Sequence, residues 1–213
     1  RLVDGTVRSV THLWSNVNGI RNWVELPENY WSEEGEAKIE IWNQSVTETI
    51  EHNNEIISSL TLVDFAPQMY ETVESGWFVY PASSQDCSEY SASEYSAGRG
   101  FTTIMTLDLF GDDLEMEVDH ITSSWAHVYS SQDMLILAEP ANDWWWFWRN
   151  SDWDDATNIH SFDISEPGYT QYIGSGRVDG TVQDQFSISE FEGSVRIAST
   201  SDAWARWWLL DEV

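Results

Sequence analysis

Apolar and polar residues alternate at matching places along the chain, and this pattern predicts β-strands over most of the sequence. One strand pattern occurs three times without gaps, in residues 5–11, 133–138 and 193–199. The first and third copies begin with a glycine, which is typical of the turn of a hairpin. Each copy is therefore predicted to be the second strand of a β-hairpin.

A second repeated pattern, an apolar strand with an aspartate at or next to its last position, follows the hairpins. It is clear in residues 104–109 and 159–164 and degraded in residues 207–211. When one large insertion is left out, the repeat length is roughly fifty residues, which is the period of a four-stranded propeller blade. The sequence thus predicts an all-β fold: a partial β-propeller of about two four-stranded blades plus part of a third.

The composition of individual strands predicts how each blade is buried. Residues 134–138 are apolar throughout, as expected for an inner strand packed between neighbouring blades. Residues 114–121 and 169–173 have the mixed composition of half-exposed outer strands. Gly174-Ser175-Gly176 lacks the third glycine and the following helix of a nucleotide-binding loop, so it is predicted to be a turn.

One stretch, residues 34–59, has helical spacing and is predicted to be a helix inserted in the first blade. Ser32 is its predicted N-cap. Residues 60–65 are predicted to form a short strand or turn, and residues 82–100 a long loop. The whole chain, residues 1–213, is then a fragment of one propeller domain that contains the insertion. The apolar residues at helical spacing are Ile39, Trp42, Val46, Ile50 and Ile57.

The charge balance is extreme, with 37 acidic residues against nine basic ones and a net charge of −28. Such a surface repels phosphate backbones and anionic lipid headgroups, so no nucleic acid partner is expected. No run of about eighteen apolar residues exists, so no membrane insertion is expected. Two interpretations remain open. The acidic residues form a solvated coat typical of proteins from saline habitats, or they collect divalent cations or a basic partner.

Several residue types that often carry chemistry are predicted to be structural here. Cys87 is the single cysteine, so a disulfide scaffold within the chain is excluded. His160 occupies the place of a methionine in the preceding repeat and is predicted to be a hydrogen-bonded core histidine. Asp108, Asp163 and Asp211 recur at one blade position, where aspartate accepts hydrogen bonds from turn N–H groups. Recurrence argues against catalysis, because a catalytic group is needed once.

Residues 142–155 are the strangest segment, because five successive aromatic side chains cannot all point into one core. Either the segment seals a blade edge, or some of its rings are exposed and bind a sugar or a protein. The alternate spacing of its acidic residues could hold a Ca²⁺ ion, the one cofactor that the sequence suggests, although the glycine and distal Glu of an EF-hand are missing. The candidate binding residues are Trp144, Trp145, Trp146, Trp148 and Trp153, and the candidate metal ligands are Asp152, Asp154 and Asp155.

Three runs, residues 157–164, 174–180 and 185–200, closely resemble a known family. It is the family of secreted bacterial and archaeal proteins with a C-terminal β-propeller distantly related to WD40 repeats. The opening Arg1-Leu2-Val3-Asp4-Gly5 hairpin is similar to it as well. The resemblance implies the propeller fold and a secreted or cell-envelope location, and it carries no catalytic residue.

No catalytic motif is readable in the sequence: it contains no G-x-S-x-G, no P-loop and no Ser/His/Asp or Cys/His arrangement. The sequence therefore favours a non-enzymatic extracellular or cell-envelope interaction module with a protein or glycan partner. The alternative is a carbohydrate-binding or glycoside-active propeller that uses the Trp-rich segment and surface carboxylates.

The number of repeats gives one more expectation. Two and a part blades cannot close a ring, and closure protects sheet edges. The chain is therefore expected to be a piece of a longer one, which associates with the missing blades or with another copy. The blade faces that carry Met134, Ile136, Val195 and Ile197 are expected to be exposed in isolation.

Overall fold

The computed structural model describes residues 2–3, 5–14, 17–82, 87–94, 100–111, 116–141 and 156–201. It divides into a helical unit, Ser15–Ala66, and a unit of strands formed by the rest of the chain. In chain order the strands are β1 (Leu2–Val3), β2 (Thr6–Trp14), β3 (Gln68–Val73), β4 (Gly76–Pro81), β5 (Tyr90–Ala92), β6 (Gly100–Asp108), β7 (Met116–Ser123), β8 (His127–Ser130), β9 (Met134–Pro140), β10 (Ala156–Asp163), β11 (Gln171–Asp179), β12 (Ile188–Phe191) and β13 (Ser194–Ile197).

The first repeat folds into an antiparallel sheet with the order β1-β2-β6-β7, which we call blade 1. Strand β5 joins its outer edge by pairing in parallel with β7. The predicted Asp-Gly turn joins β1 to β2, and Gly5 has the positive φ of 79° that such a turn requires. The ring of the exposed Phe110 lies where a Cβ on Gly5 would stand, so a larger residue there would also displace this ring.

The second repeat forms the four-stranded antiparallel sheet β8-β9-β10-β11, blade 2, and the third begins with the hairpin β12–β13, the half-blade. As predicted, the inner strand β9 is almost wholly buried, and β10 beside it is buried as well, while β11 alternates between exposed and half-buried residues. The predicted turn at Gly174-Ser175-Gly176 is wrong. These residues lie inside β11 and pair with residues 159–161, because the sheet continues past a β-bulge near Phe162.

Two apolar clusters hold the blades together. The first joins blade 1, through Ile104 and Ile121, to blade 2, through Leu135, Leu137 and Phe162. Each of these five side chains is at most 3% exposed, as expected for sheets that pack face to face.

The second cluster joins blade 2 to the half-blade, and it corrects one expectation. Ile136 is fully buried, and Met134, Val195 and Ile197 pack against its cluster instead of being exposed. The reason is that the half-blade covers the face of blade 2 that was expected to be open.

The repeated aspartates act as turn acceptors, as the sequence predicted. The Asp108 carboxylate accepts a hydrogen bond from the backbone N–H of Phe110 at 2.9 Å. The Asp163 carboxylate accepts from both the backbone N–H (2.9 Å) and the hydroxyl (2.6 Å) of Ser165. Asp211 lies outside the described residues.

The helical unit contains helix α1 (Gly35–Ser59), the short helix α2 (Leu62–Phe65) and a 3₁₀ turn. Its sequence position, between β2 and β6, makes it an insertion in the first blade. The N-cap of α1 is Glu34, not Ser32, and α2 replaces the predicted short strand or turn. No helix in the described part of the chain is long and apolar enough to cross a membrane.

Candidate functional site

The hairpin formed by β3 and β4, which we call the aromatic hairpin, exposes several large apolar side chains. The two strands pair only with each other among the described residues. Successive residues of β4 point to opposite faces, so both faces of the hairpin are apolar. The exposed fractions are 64% for Tyr70, 74% for Trp77, 53% for Phe78, 52% for Val79 and 41% for Tyr80.

A groove of about 800 Å³ runs along the outer edges of blades 1 and 2. We call it the outer groove. Strand β7, the edge strand β5 with the residues before it, the base of the aromatic hairpin and the segment that leads into β11 all contribute to its wall. The polar groups that line it include Glu89, Glu117, Asp119, Tyr169, Gln171 and Tyr172.

Asp119 is the most perturbed group of the outer groove. Burial, followed by the negative charges of Glu117 and Glu89, raises the pKa of Asp119 to about 7. Its Oδ2 atom is buried and has no hydrogen-bond partner among the described residues. Near neutral pH this side chain can therefore both donate and accept a proton.

Glu117, two residues earlier on the same strand, has a hydrogen-bond donor and a nearby positive charge that stabilise its carboxylate. Burial raises the pKa of Glu117, whereas the backbone N–H of Thr170 and the charge of Arg8 act in the opposite direction. The Thr170 N–H donates to the Glu117 carboxylate at 2.7 Å. The two carboxylates of β7 thus differ in their hydrogen-bond donors, although they lie on one face of one strand.

Arg8 fixes the wall of the outer groove that blade 2 supplies. The guanidinium, on a residue that is 7% exposed, donates to the carbonyl oxygens of Glu166 (2.8 Å) and Tyr169 (2.6 Å) and to the hydroxyl of Thr170 (3.2 Å). A side chain of blade 1 therefore holds the segment that carries Tyr169 and Tyr172 in place.

A hydrogen-bond chain runs from the surface of blade 2 into its interior, and Tyr172 of the outer groove is its first member. The Tyr172 hydroxyl and the Ser175 hydroxyl are hydrogen-bonded. Ser175 Oγ lies 2.7 Å from Nδ1 of His160, and Nε2 of His160 lies 3.1 Å from Oε1 of Glu139. Both inner residues, His160 and Glu139, are 0% exposed. His160 is thus a core histidine with both ring nitrogens bonded, as its position in the repeat predicted.

Glu139 is held by further donors at the inner end of this chain. The backbone N–H of Ser124 donates to Oε2 at 2.6 Å, and the Asn158 amide donates to Oε1 at 3.3 Å. A carboxylate that faces this many donors acts as acceptor only.

The binding and metal residues predicted from the sequence all belong to residues 142–155. Trp144, Trp145, Trp146, Trp148 and Trp153 lie outside the described residues, as do Asp152, Asp154 and Asp155. The side chain of Cys87 is likewise not described. Within the described ranges, no group of three or more His, Cys, Asp and Glu side chains could hold a metal ion.

Apart from His160, the residues of the outer groove and of the hydrogen-bond chain were missed in the sequence, although two signals pointed to them. Glu117 and Asp119 stand at alternate positions of one strand, which places both carboxylates on one face. Glu139 ends an otherwise apolar buried run, where an acidic residue needs donors. The contact of Ser175 with His160 depends on strand register, which the spacing of the residues in sequence does not show.

Comparison with known proteins agrees with this architecture. Residues 1–210 match the family model described as Beta propeller domain. No curated protein and no solved structure matches the chain. Because the family model covers almost the whole sequence, and because the sheets form two blades and the start of a third, the chain belongs to the beta propeller domain family.

Proposed function

We propose that this partial propeller is an interaction module of the cell envelope or the extracellular space, which binds a protein partner through the aromatic hairpin. The observation that carries the proposal is the exposure of Trp77 and Phe78, on opposite faces of β4, at 74% and 53%. Apolar patches of this kind on a soluble domain mark interaction surfaces. Binding of a partner in this way requires no catalytic residue.

The charge of the hairpin indicates the kind of partner. Residues 68–81 contain two acidic residues, Glu71 and Glu74, and no basic one, within a chain of net charge −28. A partner with an apolar face and a rim of Lys and Arg is complementary to this surface. An extended segment of that partner can pair with the edge of β4 that faces away from β3, which has no strand partner among the described residues. A two-stranded hairpin is only marginally stable by itself, so such pairing would stabilise it.

The experiment is quantitative capture of proteins from envelope extracts with wild type, Trp77→Ser and Phe78→Ser. Each hairpin variant should lose one specific partner by about 10-fold or more, since an exposed aromatic anchor contributes roughly 2 kcal/mol or more to binding. Titration with that purified partner then gives the affinity. Phe186→Ser is the matched control, because Phe186 is 86% exposed and lies outside the hairpin. Equal capture by all four proteins would contradict the proposal.

A second candidate, carbohydrate binding or glycoside chemistry, is favoured by the outer groove. Tyr169 and Tyr172 offer aromatic faces, and Glu117 and Asp119 offer the carboxylates that sugars and their hydrolysis require. A glycan array with wild type and Tyr169→Ala tests it. A sugar retained by the wild type and lost by the variant supports this candidate, and the absence of any retained sugar rejects it.

The location and the Trp-rich segment belong to the same proposal. The resemblance of residues 157–164 and 185–200 to secreted propeller proteins supports a secreted or cell-envelope setting. For residues 142–155 we retain the proposal of a binding segment with Trp145 and Trp148 at its centre and a Ca²⁺ ion on its carboxylates. Calorimetric titration with CaCl₂ tests the metal site, and no heat of binding would reject it.

A further inference from the structure

The protons of the hydrogen-bond chain in blade 2 can be placed from its chemistry. Glu139 accepts only, so Nε2 of His160 carries a proton and donates it to the carboxylate. Nδ1 is then the free acceptor of the ring, and the Ser175 hydroxyl donates to it at 2.7 Å. The Tyr172 hydroxyl in turn donates to Ser175 Oγ. Every hydrogen bond in the chain therefore polarises Ser175 Oγ toward His160.

This arrangement goes beyond the binding role of the hairpin. We propose that Ser175 is the nucleophile of an ester-hydrolysing site, with His160 as its general base and Glu139 as the positioning residue that orients His160. A hydroxyl, an imidazole and a carboxylate hydrogen-bonded in this order form the constellation that activates serine on unrelated folds. In the usual triad Nε2 of the histidine faces the serine and Nδ1 faces the carboxylate. Here Nδ1 faces Ser175 and Nε2 faces Glu139, and the proton still passes from Ser175 to His160.

The reaction balances with water as the only co-reactant. Ser175 Oγ adds to the ester carbonyl carbon, the carbonyl π electrons move to its oxygen, and the hydroxyl proton passes to Nδ1 of His160. The tetrahedral intermediate collapses and expels the alcohol, which takes the proton from Nδ1, and an acyl-Ser175 remains. Water, deprotonated by His160, then attacks this ester, so the carboxylic acid leaves and the Ser175 hydroxyl is restored.

The surroundings of Ser175 leave room for a substrate. Ser175 is exposed, whereas His160 behind it is fully buried. Strand β11 is an edge strand among the described residues, so alternate backbone N–H groups face away from β10. Such groups are the usual donors to a developing oxyanion.

The outer groove predicts which esters fit. Tyr172 lines the groove and contacts Ser175, and the same groove carries the carboxylates Glu89, Glu117 and Asp119. Their negative charge repels an anionic substrate. The substrate class is therefore a carboxylic ester that is neutral or cationic near the scissile bond.

The test uses the full chain with a fluorophosphonate probe and with two substrates, neutral p-nitrophenyl acetate and anionic mono-p-nitrophenyl succinate. Mass spectrometry should find the probe adduct on Ser175, and kcat/KM should be higher for the neutral ester. Ser175→Ala should abolish the adduct and lower kcat/KM for the neutral ester about 100-fold or more. Because Ser175 is exposed, this variant should keep its fold. Ser189→Ala, at an exposed serine on β12, should leave both readouts unchanged.

The positioning role of Glu139 has its own readout. Glu139→Gln keeps the shape of the side chain but removes the charge that holds the Nε2 proton, so kcat and the rate of probe labelling should fall about 10-fold or more with KM little changed. Should this variant fail to fold, Ser175→Ala still decides whether Ser175 is the nucleophile. Tyr172→Phe should lower the labelling rate by about 3- to 10-fold, because the Tyr172 hydroxyl no longer donates to Ser175 Oγ. A wild type that takes up no probe on Ser175 and hydrolyses the neutral ester no faster than Ser175→Ala would overturn the proposal.

Discussion

Glu139 is fully buried and Asp119 is partly buried, and the two carboxyl groups differ in their hydrogen-bond partners. Glu139, in the interior of blade 2, accepts hydrogen bonds from Ser124, Asn158 and His160. Asp119, in the outer groove, has one oxygen without a partner among the described residues, and its pKa rises to about 7 through burial and then the nearby carboxylates.

The difference shows that donors, and not burial alone, decide what a carboxylate does inside a protein. A buried carboxylate with several donors is part of the structure and stabilises the groups that surround it. A partly buried one without donors is destabilised as an anion and becomes a proton-exchanging group in a groove. Removal of the first should therefore cost stability, and removal of the second should not.

The largest expected effect tests this contrast directly. Glu139→Ala should lower the free energy of unfolding by about 3–5 kcal/mol, because it leaves His160 and the Ser124 N–H buried without their acceptor. Asp119→Ala should not lower it at pH 8, because the lost packing is offset by the removal of a carboxylate that burial destabilises as an anion. Urea unfolding of both variants at pH 8 gives the two values. Equal losses would break the comparison, since the donors would then not distinguish the two sites.

A second variant tests whether Arg8 fixes one wall of the outer groove. Arg8→Met removes the donors that hold the segment carrying Tyr169 and Thr170, and it should cost about 2–3 kcal/mol. It also removes the positive charge that lowers the pKa of Glu117. NMR titration of Glu117 in the variant should therefore show a higher pKa than in the wild type. An unchanged stability would mean that Arg8 does not fix the groove wall.

Much of the sheet architecture could be predicted because the repeats impose it. The apolar strand β9, the hairpin turn at Gly193 where the third repeat copy begins, and the aspartates Asp108 and Asp163 all follow from local patterns that need no knowledge of distant residues. Alternation predicts a strand, and a short polar side chain beside a turn predicts an N–H acceptor.

The faces of elements and the candidate site were harder to predict, because both depend on what packs against them. Periodicity gives helix α1 correctly, but its buried residues are Ser45 and Thr49, whereas Ile39 and Ile50 are 61% and 52% exposed. The partners of Glu139 likewise come from two separate places in the sequence, Ser124 and the strand that carries Asn158 and His160. Only the register of β10 and β11 brings His160 to Ser175, and a one-residue slip would point them to opposite faces.

The pH dependence of stability sharpens the comparison at the outer groove. Unfolded aspartate loses its proton near pH 3.9, whereas folded Asp119, with its pKa raised to about 7, keeps it longer. The folded state therefore binds more protons between these values, and stability falls as the pH rises through this window. Asp119→Asn should accordingly become more stable than the wild type, by a difference that grows from pH 4 to 7 and stays constant above pH 7. Because water screens the partly buried group, the gain should be about 1–2 kcal/mol.

A neighbour on the same strand provides the control for this measurement. Burial lowers the pKa of His120 to about 4, against its usual value of 6.5. The unfolded state therefore binds more protons between pH 4 and 6.5, so this residue makes stability rise with pH. His120→Gln should steepen the fall that Asp119→Asn removes. Parallel pH profiles of thermal unfolding for both variants would contradict the opposite signs.

The smallest expected effect concerns a third kind of carboxylate, which has donors but is not buried in the core. The side-chain and backbone hydrogen bonds from Ser165 lower the pKa of Asp163 below its usual value. A depressed pKa adds stability above the unfolded value near 4, and this stability is lost as the pH falls through the folded value. Asp163→Asn keeps an acceptor for Ser165 and loses only the charge, so at pH 7 it should cost about 0.5 kcal/mol. Wild type and variant should become equally stable in urea below about pH 3, whereas Asp133→Asn, at an exposed position, should match the wild type throughout. A loss at pH 7 as large as that of Glu139→Ala would show that donors outweigh burial.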